Sequence, residues 1–352
     1  MCTGFNQVFC MATNDGGWRE TMPVLSKRES QLPKTQGKPP KPRFTSTPHR
    51  ALTEPMTDHI TALARIPKSA MASLTDTSGR EGLWHLAGHL GLIAASSGLI
   101  IAQVPFWGLL LPVQGVLLVF LFALQHETTH QTPFADTRLN EWVGRLCGVV
   151  LLVPFTWFRY FHLAHHRHTN DPERDPELAS GPKPQDRRGY LLHVSGLPYW
   201  KAITRQLTIN ARGKADASYL PKTALPRIKA EARWMLTLYA LALASLLVSP
   251  LALWLWIVPL LIGQPVLRLY LLAEHDRCAY VSNMLQNTRT TYTNRVIRYL
   301  AWNMPYHAEH HAAPQVPFYK LPALNAHLQD LLEETSNGYA PYTHAHIKSL
   351  RP

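Results

Sequence analysis

The stretch GLWHLAGHLGLIAASSGLIIAQVPFWGLLLPVQGVLLVFLFALQ, Gly82 to Gln125, runs for 44 residues without an Asp, Glu, Lys or Arg. As α-helix it rises ~66 Å, enough for two passes of a ~30 Å hydrocarbon core. Pro105-Phe106-Trp107-Gly108 stands near its middle and supplies a turn with an interfacial tryptophan. A pair of buried soluble helices would still show a polar stripe somewhere, and here every face lacks charge. The reading is therefore a hairpin of two membrane spans, about 83–104 and 106–125.

Outward from this hairpin, a second uncharged run covers Trp234 to Leu267, interrupted by Ser249-Pro250. Its length gives ~51 Å of helix, slightly short of two full spans. Arg233 and Arg268 can snorkel at its ends, which gives a second hairpin with spans about 232–249 and 251–273. Two hairpins leave residues 126–231 and everything after 274 on one side, with the N-terminal region. All Lys and Arg residues lie there or at the hairpin ends, so that side is expected to be cytoplasmic. Leu146 to Phe158 is also apolar but too short to span and contains Pro154, so it reads as an interfacial or partly buried helix.

This layout explains a composition that is otherwise contradictory. Only 16 % of the 352 residues are charged, yet the mean hydropathy is −0.11. Apolar blocks are being averaged with polar ones. Residues 1–55 are rich in Pro, Lys, Ser and Thr and read as a disordered basic tail. Residues 56–81 read as an amphipathic lead-in, 82–330 as the membrane domain, and 331–352 as a C-terminal tail. The first thirty residues lack the basic start, apolar core and cleavage site of a signal peptide. The net charge of +12 is accounted for by topology and anionic headgroups. No nucleic-acid-binding module accompanies it, so nucleic acid is not an expected partner. Four scattered cysteines make neither a disulfide framework nor a metal ribbon, and the glycines form no phosphate or dinucleotide loop.

Eighteen histidines remain to be explained. His126-Glu-Thr-Thr-His130 directly follows the second span, and its i, i+4 spacing puts both imidazoles on one helical face. His162-Leu-Ala-His165-His166 and His307-Ala-Glu-His310-His311 can each present three imidazoles. Imidazole has no packing reason to concentrate at membrane-helix ends, so a metal site is the reading, though spacing leaves open which metal each ring meets. His85 and His89 share the HxxxH spacing but read as histidines hydrogen-bonded to neighbours, and His168 as a spare.

His126 to His130 also matches HExxH, the zinc-protease signature with Glu127 as base. A catalytic zinc takes three protein ligands and would leave the other two clusters idle. Glu127 can instead accept an imidazole N–H. A divalent-metal transporter is expected to place its ligands near the midplane of its spans, which these clusters do not.

The order QHETTH (Gln125–His130), FHLAHHRHTNDPERDPE (Phe161–Glu177) and NMPYHAEHH (Asn303–His311) resembles the membrane fatty acid desaturase/hydroxylase superfamily. The Asn287-Thr288-Arg289-Thr290 element before the last box resembles its bacterial and sphingolipid branches. The resemblance covers roughly 80 to 330 and implies an all-α integral membrane fold. Four transmembrane helices then form two hairpins beneath a cytoplasmic helical cap that holds a histidine-rich di-iron site. It also implies one further ligand at the end of the fourth span, for which His275 is the match. The expected ligands are then His126, His130, His162, His165, His166, His275, His307, His310 and His311. Two iron ions, with O2 as co-substrate, would desaturate an acyl chain of a fatty acid or lipid in a bacterial inner membrane. Hydroxylation of a lipid, terpenoid or small amphiphile is the alternative from the same superfamily. The chain shows no haem or iron–sulfur module, so a separate electron donor, ferredoxin-type or similar, is implied.

Asp171, Glu173, Asp175 and Glu309 flank the boxes and can accept imidazole N–H bonds or simply cap hydrated turns. Asn287 and Asn303 have the same two readings. Trp157, Phe158, Tyr160 and Phe161 can line a substrate tunnel or anchor an interface.

Overall fold

The computed structural model describes residues 57–179, 181 and 183–351, so the expectation for the tail 1–55 lies outside the described residues. The described chain is mostly helical. Two short helices, His59–Ala64 and Lys68–Thr75, precede the first long one. The charge-free stretch folds into two candidate spans, Gly79–Ile101 and Trp107–His130, 23 and 24 residues long. Phe106 turns the chain with a left-handed φ of 61° immediately before Trp107. A third helix of span length, Leu253–His275, opens with a π turn at Leu253–Ile257.

These are the three described helices that are long and apolar enough to cross a membrane. The expected span 232–249 is not among them. The helix there, Leu225–Ser245, takes Arg227, Lys229, Glu231 and Arg233 into its first half. Its uncharged part, Trp234 to Ser245, rises only ~18 Å. The segment Leu146–Phe158, expected as one interfacial or partly buried helix, is divided in two. Leu152 adopts a φ of 64°, Val153 N–H bonds back to Gly148 O at 2.9 Å, and Pro154 brings no N–H to continue the helix. The chain breaks there into Thr137–Leu151 and Phe155–His168, bent by 100°, and the pair is a fourth candidate span only as one broken unit.

The helices that carry histidines are held in register by close backbone contact. A Cβ on Gly115 would lie 2.3 Å from Pro259 O, and one on Gly263 would lie 2.3 Å from Gly115 O. Only glycine at both positions lets Trp107–His130 and Leu253–His275 approach this closely. Both helices consequently end at one level, where His126, His130 and His275 meet the remaining boxes. Much of the outer face stays apolar: Phe106 is 83 % exposed, and Leu247 and Val248 are each 91 % exposed. Water would penalise such a surface, whereas lipid would not.

Two short parallel strands, Thr290–Thr291 and Thr335–Ser336, pair in register Thr290 to Thr335. They bring the Asn-Thr-Arg-Thr element beneath the third box, helix His307–Ala312. Residues 331–352, read as a tail, contain the helix Tyr339–Ser349. It docks on the buried Asp276 carboxylate, to which Tyr342 Oη and His346 Nδ1 donate at 2.7 and 2.8 Å. Burial would raise this carboxyl, but the hydrogen bonds from His346 and Tyr342 hold it below the usual carboxylate range.

Candidate metal centre

Each histidine box sits where its helix is locally fixed. The first box occupies the last turn before Gln131, whose left-handed φ of 61° ends the helix. The second follows the Pro154 break, and the third is a single buried turn. His275 is the last residue of the third long helix. All nine expected ligands come together, and eight of them fall into two sets whose nitrogens lie within 4.8 Å of one another. One set is His126, His130, His162, His166 and His310; the other is His165, His275 and His311. His307 stands beside the second set, its Nε2 3.1 Å from His275 Nε2. Neighbouring histidines of the third box, His310 and His311, are thus divided between the two sets. Spacing had left that division open.

The ring nitrogens show what such a cluster needs. His165 Nδ1 is 2.9 Å from Asp175 Oδ1, and His275 Nδ1 is 3.2 Å from the carbonyl oxygen of Asn287. Both neighbours are pure acceptors, so both Nδ1 atoms carry the proton, which in the neutral ring leaves the lone pair on each Nε2. Those two Nε2 atoms face each other at 3.2 Å. His126 and His310 meet through Nε2 at 2.8 Å, and His130 and His162 at 2.9 Å. Two such lone pairs in contact repel unless a cation lies between them, and nitrogens at right angles on one metal stand ~3 Å apart, the spacing of all three pairs. His311 Nε2 and both nitrogens of His166 are buried with no hydrogen-bond partner. Burial first, and then the neighbouring histidines, hold His307 and His311 well below the ordinary imidazole range. They stay neutral and able to ligate. The donor set fits transition metals that accept imidazole, iron among them.

Of the flanking acids, Asp175 touches a box histidine. Asp171 instead accepts from Glu173 N–H at 2.9 Å, capping its own turn. Glu309 accepts from Thr290 Oγ1 at 2.5 Å and from Asn325. Glu127 is fully buried and accepts from Thr132 Oγ1 at 2.9 Å and Phe318 N–H at 3.2 Å. Its other oxygen lies 3.2 Å from His310 Nδ1, out of line for a hydrogen bond. A carboxylate so occupied is poorly placed to activate water as a protease base. Asn303 Nδ2 donates to Phe318 O at 3.1 Å and plays a structural part. His168 lies in neither set.

Sequence reasoning missed four groups. Thr169 Oγ1 accepts from His311 Nδ1 at 3.0 Å. The Asn287 carbonyl, rather than its side chain, holds His275. Glu177 Oε2 and Glu274 Oε2 each lie 3.5 Å from a histidine Nε2, those of His165 and His307. Nothing in the spacing of these residues marks such contacts.

A cavity of about 940 Å3 opens beside the cluster. His162, His165, His275 and His307 form one wall, and Trp157, Phe158 and Phe161 form another. Tyr160 does not line it.

A family model described as fatty acid desaturase matches residues 101–344, spanning all three boxes and His275. The chain belongs to the fatty acid desaturase family. Among its relatives, a fatty acid desaturase of Bacillus subtilis (strain 168) is 23 % identical over 60 % of this chain and 65 % of its own length. The sphingolipid delta(4)-desaturase of Drosophila melanogaster is 28 % identical over 59 % of this chain and 61 % of its own length. An sn-1 acyl-lipid omega-3 desaturase (ferredoxin) of Synechocystis is 27 % identical over 37 % of each chain. The chain thus spans less than two thirds of the length of these desaturases.

Proposed function

We propose that the chain is an O2-dependent, non-haem di-iron desaturase that introduces a double bond into an acyl chain of a fatty acid or lipid. The observation that carries this reading is that imidazole Nε2 atoms of different helices face one another in pairs, 2.8 to 3.2 Å apart, beside a cavity with aromatic and aliphatic walls. His126, His130, His162, His166 and His310 would hold one iron; His165, His275, His311 and the adjacent His307 would hold the other. Bound iron together with O2 supplies the oxidising power to remove hydrogen atoms from an unactivated C–H bond.

The chain's own residues do the rest. Asp175, Thr169 and the Asn287 carbonyl fix three imidazole tautomers so that Nε2 faces inward. Trp157, Phe158 and Phe161 exclude water from one side of the cavity and give a methylene chain an apolar bed against His162 and His165. Small shifts of a substrate carbon there decide the outcome, because two hydrogen removals give an alkene and oxygen rebound gives an alcohol. Overall, two hydrogens of the substrate, O2, two electrons and two protons yield the alkene and two waters. The electrons come from a separate donor of ferredoxin type, steered by the basic surface of the chain. One relative carries ferredoxin in its name.

The same reading includes the membrane arrangement. The charge-free stretches form two hairpins, with helix Leu225–Ser245 and its following turn making the shallow arm of the second. The histidine boxes and both termini lie on the cytoplasmic face, capped by the central and C-terminal helices, as the distribution of Lys and Arg supports. A bacterial inner membrane is the proposed host.

The experiment is lipid mass spectrometry of cells with and without the gene, beside metal analysis of the purified protein. A product two mass units lighter than its precursor and about two irons per chain are expected. A product sixteen units heavier would turn the assignment to hydroxylation, and one zinc with no iron would end it.

A further inference from the structure

Arg268 lies at the end of a charge-free run, and its side chain is half-buried. Its guanidinium stacks over the Tyr199 ring at 4.4 Å and lines the same cavity as the histidines. Its Nε is buried without a hydrogen-bond partner, and among the described residues no carboxylate comes within ion-pair distance of it. Glu177 and Glu274 also line the cavity and attract Arg268 from beyond ion-pair distance, each with a nearer neighbour. Lys183 pairs with Glu177 at 2.5 Å, and Glu274 sits 3.5 Å from His307 Nε2. His193 also lines the cavity, and burial, followed by the charge of Arg268, pushes its imidazole down to about 4, so it is neutral near pH 7. A half-buried guanidinium with no carboxylate in ion-pair contact is costly unless something anionic meets it.

The helix sets the distance. Arg268 and His275 are seven residues apart, which places them on one face, two turns and ~10.5 Å apart. Leu271 and Leu272 line the cavity between them. A ligand whose anionic end meets Arg268 therefore runs over leucine side chains before its C–H groups reach the histidines.

We propose that Arg268 anchors the acidic head of the substrate, a carboxylate or phosphate on an acyl-type amphiphile, and so sets which carbon meets the metal centre. This rests on the cavity being the substrate's, as in the function proposed above. Arg is suited to the task because its planar fork bonds two oxygens of one oxo-acid at once.

The test compares dodecanoic acid, dodecyl phosphate, methyl dodecanoate and inorganic phosphate on the full-length protein in detergent. Binding is read by displacement of a neutral fluorescent acyl probe, independently of turnover. One of the two acidic amphiphiles should bind at least about tenfold more tightly than the ester. That preference should vanish in Arg268→Gln and partly return in Arg268→Lys, with metal content unchanged. Whichever acidic head wins names the substrate class. An ester that binds wild-type protein as tightly as the acids overturns the proposal, and needs no variant to fold. So does a preference that survives in Arg268→Gln. Inorganic phosphate that binds through Arg268 as tightly as dodecyl phosphate assigns the site to a free anion and overturns the lipid-head reading. A wild-type chain that prefers an acid yet forms no double bond leaves the anchor standing and sinks the desaturase.

Discussion

His85 and His89 have the same spacing on their helix as His126 and His130 on theirs, yet the two pairs have nothing else in common. His89 Nε2 meets the Leu117 carbonyl at 2.9 Å, and its Nδ1 accepts from Trp302 Nε1–H at 3.2 Å. His85 Nε2 donates to the Tyr299 carbonyl at 2.8 Å. These nitrogens face complementary partners, so the pair is a clamp between the first long helix and residues 299–302. His126 and His130 face other imidazoles through Nε2 instead. Spacing tells which rings share a helical face; only the atoms opposite each nitrogen tell whether a cation is required.

The largest effect should therefore come from removing a ring that faces rings. His310→Ala takes from the five-histidine set the nitrogen 2.8 Å from His126 Nε2. Desaturation is expected to fall by more than about 100-fold, beyond what removing a supporting partner costs, with iron lost from the purified chain. Full iron and intact activity in this variant would reduce the two pairs to one kind. Asp175→Asn should rank second. It keeps the shape but replaces one carboxylate oxygen opposite His165 Nδ1 with an amide N–H, weakening control of the tautomer. Metal affinity measured by competition with a chelator should fall about 10- to 100-fold. An unchanged affinity would show that Asp175 only caps its turn.

His89→Ala tests the other side of the comparison. The residue is fully buried, and its loss strands the Trp302 indole N–H and the Leu117 carbonyl. Unfolding stability should drop by about 1–3 kcal/mol, while iron per chain stays at the wild-type value. Loss of iron at unchanged stability would place His89 in the metal centre.

How far the sequence carried this distinction follows from what each feature depends on. The first two span-length helices were legible because absence of charge over 82–125 is a property of the stretch itself. The third expected span, 232–249, is less legible because the charges of residues 227–233 sit on the same helix as the apolar run, and only the structure shows where that helix starts. The nine histidines were legible as a set, from clustering for eight and from family resemblance for His275. Their division into two sets was not, because His310 and His311 are neighbours whose rings point to different groups. The supporting acceptors were least legible. Asp175 looked no different from Asp171, and a threonine hydroxyl or a main-chain carbonyl carries no mark at all.

The smallest expected effect sharpens the comparison most. His85 is only partly buried, stacked on Tyr299 at 4.3 Å and set edge-on to Phe318 at 4.9 Å. Phenylalanine in its place keeps both ring contacts and removes one hydrogen bond, that to the Tyr299 carbonyl. A single neutral hydrogen bond at a partly wet site contributes about 0.5–1.5 kcal/mol. His85→Phe should therefore lower stability by no more than that and leave iron content and product yield at wild-type levels. The prediction is demanding because the substituted residue belongs to an HxxxH pair only 37 positions before His126 in sequence order, counted from His89. If iron falls in His85→Phe while the fold holds, the hydrogen bond to Tyr299 is not what the ring is for, and ten histidines rather than nine would have to be divided between two metals.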